Sequence, residues 1–336
     1  MAVDIEGARY GSDKSGLLCA FAFEPREPGR AIDDDELARL VADRSERPFV
    51  WAHFNLSNQA SLRWMRDHLT LPAEFYDSLQ HEKSPRVEPT DDALIAVIND
   101  VTWFGTEASE VSPMSVCADA RLLISARRTP LRSADRLREH VKNGRRFRSA
   151  LELLADLLAG QADILARIVR ETASKVDELE DRVFASRIGG ARPKLGGLRR
   201  MLVRLQRLLA PEPSALFRIL ARPPVWLARD DSEELRQGAE ALASAIGDCV
   251  ALVERVRTLQ EEVSAVIEER TNRTIFVLTV VTVATLPMNI IPQMFGMNVG
   301  GVPLKEWGWG FWFIDALVTA MAVAITLPLV WRRDDL

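Results

Sequence analysis

Seven residues recur at spacings of three and four, Asn272, Ile275, Thr279, Thr282, Leu286, Asn289 and Gln293, and all but Asn272 lie in a stretch with no charged side chain, Thr274 to Leu304. Five of the seven are polar. Hydroxyls and amides in an apolar, charge-free run must be satisfied by other helices or by water. One reading is glue, with Thr and Asn bonding neighbouring helices together. The other is a channel wall, in which several copies of the stripe surround one axis. Neutral dipoles of this kind suit an ion that keeps much of its water, because none of them grips tightly. The opposite side, Phe276, Val277, Val280, Val281, Val283, Ala284, Ile290 and Ile291, suits lipid or a second helix.

Other chemistry is sparse. Zinc sites within proteins want Cys, His and carboxylates at fixed spacing. His53, His68, His81 and His140 form no HxxxH pair, and Cys19, Cys117 and Cys249 form no CxxC clip. The widely spaced cysteines fit a reducing cytosol. Asp33-Asp34-Asp35 precedes a helical stretch and is expected to cap it. Arg145-Arg146-Phe147-Arg148 reads as a solvated helix start, and Asp230, Asp231, Glu233 and Glu234 as partners of a helix dipole. Asp315 is the one charge between Gly308 and Trp331. An intramembrane acid is a functional candidate, and proton coupling is imaginable; the bland alternative is that it snorkels or caps. There is no phosphate loop, dinucleotide fingerprint or nucleophile elbow, and so no enzyme signature. A net charge of -5 argues against nucleic acid as a partner.

These residues need elements to hold them. About 20 apolar residues cross a bilayer as a helix, and spans are expected at about 275–295 and 312–331, with an outer loop 296–311. Arg270 and Arg273 precede the first span and Arg332 and Arg333 follow the second, whereas the loop has Lys305 beside Glu306. Positive-inside bias therefore puts both termini in the cytoplasm. Trp307, Trp309 and Trp312 mark the outer interface and Trp331 the inner one. The polar N-terminus carries no cleavable signal peptide.

Upstream, three parts are expected. Residues 1–130 form a cytoplasmic α/β domain, with strands Leu17–Phe23, Pro48–Phe54, Leu94–Asp100, Pro113–Cys117 and Ala120–Ser125 and helices Asp34–Asp43, Asn58–Leu69 (Ser57 its N-cap) and Pro72–Gln80. Residues 131–273 form a helical bundle and stalk, and 274–336 the membrane domain. Helices are predicted over Phe147–Ile188 and Lys194–Leu209, the latter stopped by Pro211 and Pro213. A last helix starts near Ser232, its N-cap. Its apolar residues recur every seven, at Leu235, Leu242, Cys249, Val256 and Val263, with a second row at Ala245, Leu252, Leu259 and Val266. This a/d seam predicts lengthwise packing, and the polar stripe is read as its continuation toward a shared axis.

The span ends in Gly296-Met297-Asn298, followed by Val299-Gly300-Gly301-Val302-Pro303. That tripeptide at the outer end of the first of two C-terminal helices, behind a long helical stalk, resembles the CorA superfamily of divalent metal ion transporters. The Val-Gly-Gly-Val-Pro continuation looks most like the ZntB-like zinc branch, and Pro287 and Asn272 fall where the family commonly has them. The resemblance implies a funnel-shaped homopentamer in the inner membrane, its α+β cytoplasmic domain joined by a stalk to five copies of the first span. It implies that Asn298 rings the entrance and contacts the hydrated cation, with Gly296 and Met297 shaping the turn. Glu306 is the loop's single carboxylate for attracting cations. Zinc is then the expected cargo, with no resident cofactor; magnesium, cobalt or nickel is the alternative, and a non-conducting scaffold or sensor the alternative from another class.

Overall fold

The structure is a computed structural model that describes residues 13–43, 48–80, 86–102, 110–185, 189–296 and 307–331. It contains two compact units, Met1–Gln260 and Glu261–Leu336.

The first unit is built on a mixed sheet of β1 (Leu17–Phe23), β2 (Arg30–Ala31), β3 (Phe49–Asn55), β4 (Arg86–Pro89), β5 (Leu94–Val101), β6 (Val111–Ala118) and β7 (Leu122–Arg127), in the order β2-β1-β3-β7-β6-β5-β4. Only β3 and β7 run parallel among these neighbours. Alternate side chains of each strand go to opposite faces. Ala20, Ala22, Val50, Ala52, Ile95 and Ile124 meet Leu37, Met65 and Phe75 on one side. Phe21, Phe23, Trp51, Ile98, Met114 and Leu123 meet a helical layer on the other. Helices cover both faces, so β5 is buried at every residue, with an apolar run from Leu94 to Ile98 followed by the buried polar pair Asn99 and Asp100.

The first face is covered by α1 (Asp34–Ala42), α2 (Gln59–His68) and α3 (Ala73–Gln80). Asp33 caps α1 as expected, its carboxylate accepting the Glu36 N–H at 2.8 Å. The cap of α2 is Asn58 rather than Ser57: Asn58 Oδ1 accepts the Ala60 N–H at 3.0 Å, while the Ser57 hydroxyl donates to the Arg128 carbonyl. The second face carries α4 (Arg132–Lys142), α5 (Ala150–Phe184), α7 (Pro211–Leu220) and the start of α8 (Arg229–Phe295), whose Leu137, Leu154, Leu216 and Leu235 share one core with the sheet. The expected division at residue 130 thus runs through a common core, because α5 lies on the sheet.

Between α5 and α7 runs α6 (Ala191–Leu209). Pro211, expected only to stop it, begins α7 at its first position, where a missing N–H costs nothing. Helix α8 likewise starts three residues before Ser232, which is buried inside the helix rather than capping it. The basic run before α5 is engaged, not merely solvated. Arg148 reaches Glu152 at 3.2 Å, Asp230 at 3.4 Å and Glu234 at 3.1 Å, and Arg145 reaches Asp156 at 2.5 Å.

The heptad seam of α8 is consumed within the protomer. Leu235, Leu242, Cys249 and Val256 are buried, as are Ala245, Leu252 and Leu259. The Cys249 thiol donates to the Leu202 carbonyl of α6 at 3.6 Å, and Arg255 pairs with Asp177 and Glu180 of α5 at 2.7 and 2.5 Å. Gly238 permits the closest approach, since a Cβ there would lie 3.1 Å from the Ala155 carbonyl oxygen. Within the protomer the partners of this seam are α5 and α6.

The second unit comprises the C-terminal part of α8 and α9 (Gly310–Trp331). Both contain runs long and apolar enough to cross a membrane. Helical backbone continues through Pro287 and Pro292.

Candidate ion pathway

Within the second unit, α8 divides into two sides. Phe276, Val280, Val283, Ala284, Ile291 and Phe295 are partly covered, whereas Asn272, Ile275, Thr279, Thr282, Leu286, Asn289 and Gln293 are all exposed. Val277, Val281 and Ile290, expected on the covered side, are exposed as well. Counting on by sevens from Val256 and Val263 reaches Val277, Ala284 and Ile291. The stripe is therefore not a continuation of the seam, as its spacing by threes and fours suggested. It is a separate face, offset round the helix and left uncovered by the protomer.

Hydrogen bonding gives that face a chemical sign. The hydroxyls of Thr279 and Thr282 each donate to the carbonyl four residues back, Ile275 and Leu278, at 2.8 Å. Their protons are spent inside the helix, so the outward lone pairs act as acceptors. Asn289 Nδ2 donates one N–H to the Thr285 carbonyl at 3.1 Å, leaving Oδ1 and the second N–H for outside partners. Thr285, missed in the seven-residue stripe, is exposed and bonds to Val281 at 2.7 Å. Its spacing of three from Thr282 and four from Asn289 was the available signal. The surface offered is a row of neutral oxygens, suited to water molecules held by a cation.

Gly296 follows the last turn of α8 and is exposed. Met297, Asn298, Lys305 and Glu306 lie outside the described residues. Beyond them, Trp307, Trp309 and Trp312 are exposed around the start of α9. Along α9, Val318 and Ala322 are buried and most other side chains are exposed.

Three of the four histidines are occupied structurally. His53 is buried in the sheet, where its Nε2 accepts from Arg127 Nε at 3.0 Å and its Nδ1 bonds Ser125 Oγ at 2.7 Å. Burial first, and the Arg127 charge second, hold its pKa well below the usual value, so the ring is neutral. His68 bonds the Trp64 carbonyl and His140 bonds Asp156; His81 is outside the described residues. Burial drives the thiols of Cys19 and Cys117 up to about 12 and that of Cys249 to about 11. Among the described residues, no group of three or more His, Cys, Asp or Glu could hold a metal ion.

Sequence reasoning missed a buried acid pair. Glu212 accepts the Asn99 N–H at 2.6 Å and a Gln161 amide N–H at 2.9 Å, tying α7 to β5 and α5. Asp100, beside Asn99, accepts the Ser133 N–H at 2.8 Å and its hydroxyl at 2.6 Å. Glu212 lies between Pro211 and Pro213, the two residues expected to stop the preceding helix.

A soluble α/β unit followed by two membrane-length helices, the first bearing an uncharged polar face, is the architecture of a membrane transporter. The chain belongs to the family described as CorA-like Mg2+ transporter protein, whose profile matches residues 46–332. It is 28% identical over 94% of its length to the divalent cation transporter CmaX of Pseudomonas aeruginosa, covering 96% of that protein. It is 23% identical over 85% of its length to the zinc transport protein ZntB of Yersinia enterocolitica, covering 86% of it. The structure of full-length CmaX superposes with a TM-score of 0.82 at 27% identity, covering 95% of this chain and 99% of that one. The CorA magnesium transporter of Methanocaldococcus jannaschii shares the fold, with a TM-score of 0.74 at 19% identity over 93% and 96% of the two chains.

Proposed function

We propose that this chain carries divalent metal cations across the inner membrane, zinc before others, through a homopentameric pore entered at Gly296-Met297-Asn298. The observation that carries the reading is the exposed row of uncharged polar side chains on a membrane-length helix, running from Asn272 to Gln293 and followed by that tripeptide, with the hydroxyl protons of Thr279, Thr282 and Thr285 spent inside the helix. A single protomer leaves this row uncovered at membrane depth, where polar groups need protein or water partners. Copies arranged about an axis would supply water and the ion together. A cation that keeps its hydration shell meets acceptors that bind its waters without stripping them, which matters most for reluctant dehydrators such as Mg²⁺. Asn298, as the entrance ring, adds amide oxygens of the same kind. Both termini face the cytoplasm, and Glu306 adds a negative charge to the outer loop.

Zinc rests on the Val299-Gly300-Gly301-Val302-Pro303 continuation and on the likeness to zinc transport proteins. A magnesium, cobalt or nickel channel of the same build is the second reading, favoured by the magnesium in the family's description. Uptake into liposomes holding the purified chain, with Zn²⁺ and Mg²⁺ offered separately and a pH step applied, separates the two. Zinc flux that responds to the step supports proton-coupled zinc uptake; magnesium flux indifferent to it supports the channel. Asn298→Ala is expected to lower flux at least tenfold with the oligomer intact. The Thr279→Val/Thr282→Val pair, which keeps shape and removes the oxygens, is expected to lower it several-fold. Absence of flux for every ion offered to the wild-type chain would leave only the scaffold reading.

A further inference from the structure

Asp315 has no role in the pathway described so far. It is the one charged residue between Gly308 and Trp331, and it lies five residues after the start of α9. At 1.5 Å per residue that is roughly 8 Å along the helix axis, just beyond the exposed aromatics Trp307, Trp309 and Trp312. A short carboxylate has little reach for snorkelling compared with Lys or Arg. No hydrogen bond or ion pair to it forms among the described residues.

The groove that Asp315 lines, about 510 Å³ in volume, lies between the outer ends of the two membrane helices. Met288, Phe295 and Gly296 contribute from the α8 side and Phe311, Ile314, Val318 and Thr319 from α9. Among the described residues of this lining Thr319 is the one other polar side chain, and it is four residues from Asp315, on the same face of α9. Among the described residues of the lining, none neutralises the carboxylate and none is a second titratable group. Met288 and Phe295 are on the other side of α8 from Thr282, Asn289 and Gln293, so the groove lies beside the proposed pore wall and not in it. Gly296 nevertheless belongs to both the groove and the entrance tripeptide.

We propose that Asp315, with Thr319, forms a recruitment site for the hydrated divalent cation at the outer end of this groove. An unpaired carboxylate at this depth is costly unless a counter-charge joins it. The cargo of a cation transporter is the available counter-charge. One carboxylate and one hydroxyl can hold the waters of an aquo-ion but not enclose the bare metal, which takes about four ligands as Zn²⁺ and about six oxygens as Mg²⁺. The site therefore binds weakly and releases to the neighbouring Gly296 entrance, supplying the negative charge that the neutral pore face lacks. This inference rests on the transport reading above.

The test compares flux into liposomes for wild type, Asp315→Asn, Asp315→Glu and Thr319→Ala, over a range of Zn²⁺ and Mg²⁺ concentrations at low and high ionic strength. Asp315→Asn is expected to raise the half-saturating concentration about five- to tenfold at low salt, with maximal flux unchanged. High salt should shrink the difference, since screening weakens an exposed charge. Asp315→Glu should restore most of the affinity, and Thr319→Ala should cost about twofold. An unchanged half-saturating concentration in Asp315→Asn, beside a conducting wild type, would overturn the recruitment site and leave the pore reading standing. So would an altered pH dependence without any change in half-saturation, which would make Asp315 a proton site. A wild type that conducts no cation would remove the transport reading itself.

Discussion

Glu212 shows how a single residue can set the response of the soluble unit to pH. Its carboxylate is fully buried, and burial raises its pKa to about 8 despite two N–H donors that favour the charged form. In the unfolded chain it titrates near 4.5. The folded state therefore holds a proton that the unfolded state has lost between those two values, and stability must fall as pH rises through that window. Asp100, raised by burial to about 6 from 3.8, acts in the same direction at lower pH. One pKa unit corresponds to about 1.4 kcal/mol, so the Glu212 contribution is large enough to move an unfolding midpoint by several degrees. The prediction is a thermal midpoint of the detergent-solubilised chain that declines from pH 5 to pH 8.5, with a flatter profile in Glu212→Gln. A Gln side chain keeps an acceptor for the Asn99 N–H and cannot ionise. Equal slopes in the two proteins would show that another group carries the dependence.

At the scale of elements, apolar runs and caps made most of the sheet and α1 to α3 legible in the sequence. What escaped has a physical reason in each case. Strand β2 has two exposed residues, and β4 is a short edge strand ending at Pro89, so neither offers an apolar alternation to read. Pro211 was ambiguous because proline can end one helix or occupy the first turn of the next. The seam in α8 was recognisable as a packing face, but a heptad does not name its partner: an intrachain hairpin and a second copy satisfy it equally. Gly238 decides the geometry of that contact. The backbone of α5 stands 3.1 Å from the position of an added Cβ, and Leu158 Cβ 3.3 Å from it. Gly238→Leu would force α8 off α5 and should cost about 1–3 kcal/mol, seen as a lower denaturation midpoint. Arg255→Ala, which removes half-exposed ion pairs to Asp177 and Glu180, should cost under about 1 kcal/mol. The reverse order would place the strength of this contact in its charges rather than its packing. The polar stripe was legible residue by residue, and its separation from the seam was not, because three-and-four spacing tolerates a drift that only coordinates resolve.

For the whole molecule, the sequence predicts a topology that its own chemistry makes easy to test. Arg270, Arg273, Arg332 and Arg333 flank the two spans on one side, and the loop between them carries Lys305 beside Glu306. The positive-inside bias then orients both termini toward the cytoplasm and residues 296–311 outward. A cysteine placed in the loop should be labelled by a membrane-impermeant maleimide added to intact cells, and one placed near the C-terminus only after permeabilisation. The native thiols leave this readout clean. Cys117 and Cys249 are buried and Cys19 is half-buried, and burial keeps all three from forming the thiolate that reacts. Val302→Cys is therefore expected to label at least tenfold faster than wild type from outside, and Asp335→Cys to match wild type until the membrane is opened. The opposite pattern would reverse the chain in the membrane. It would put Gly296, the Asp315 groove and the entrance on the cytoplasmic side, so that the same acceptor row would receive its cation from within and the proposed uptake would become export.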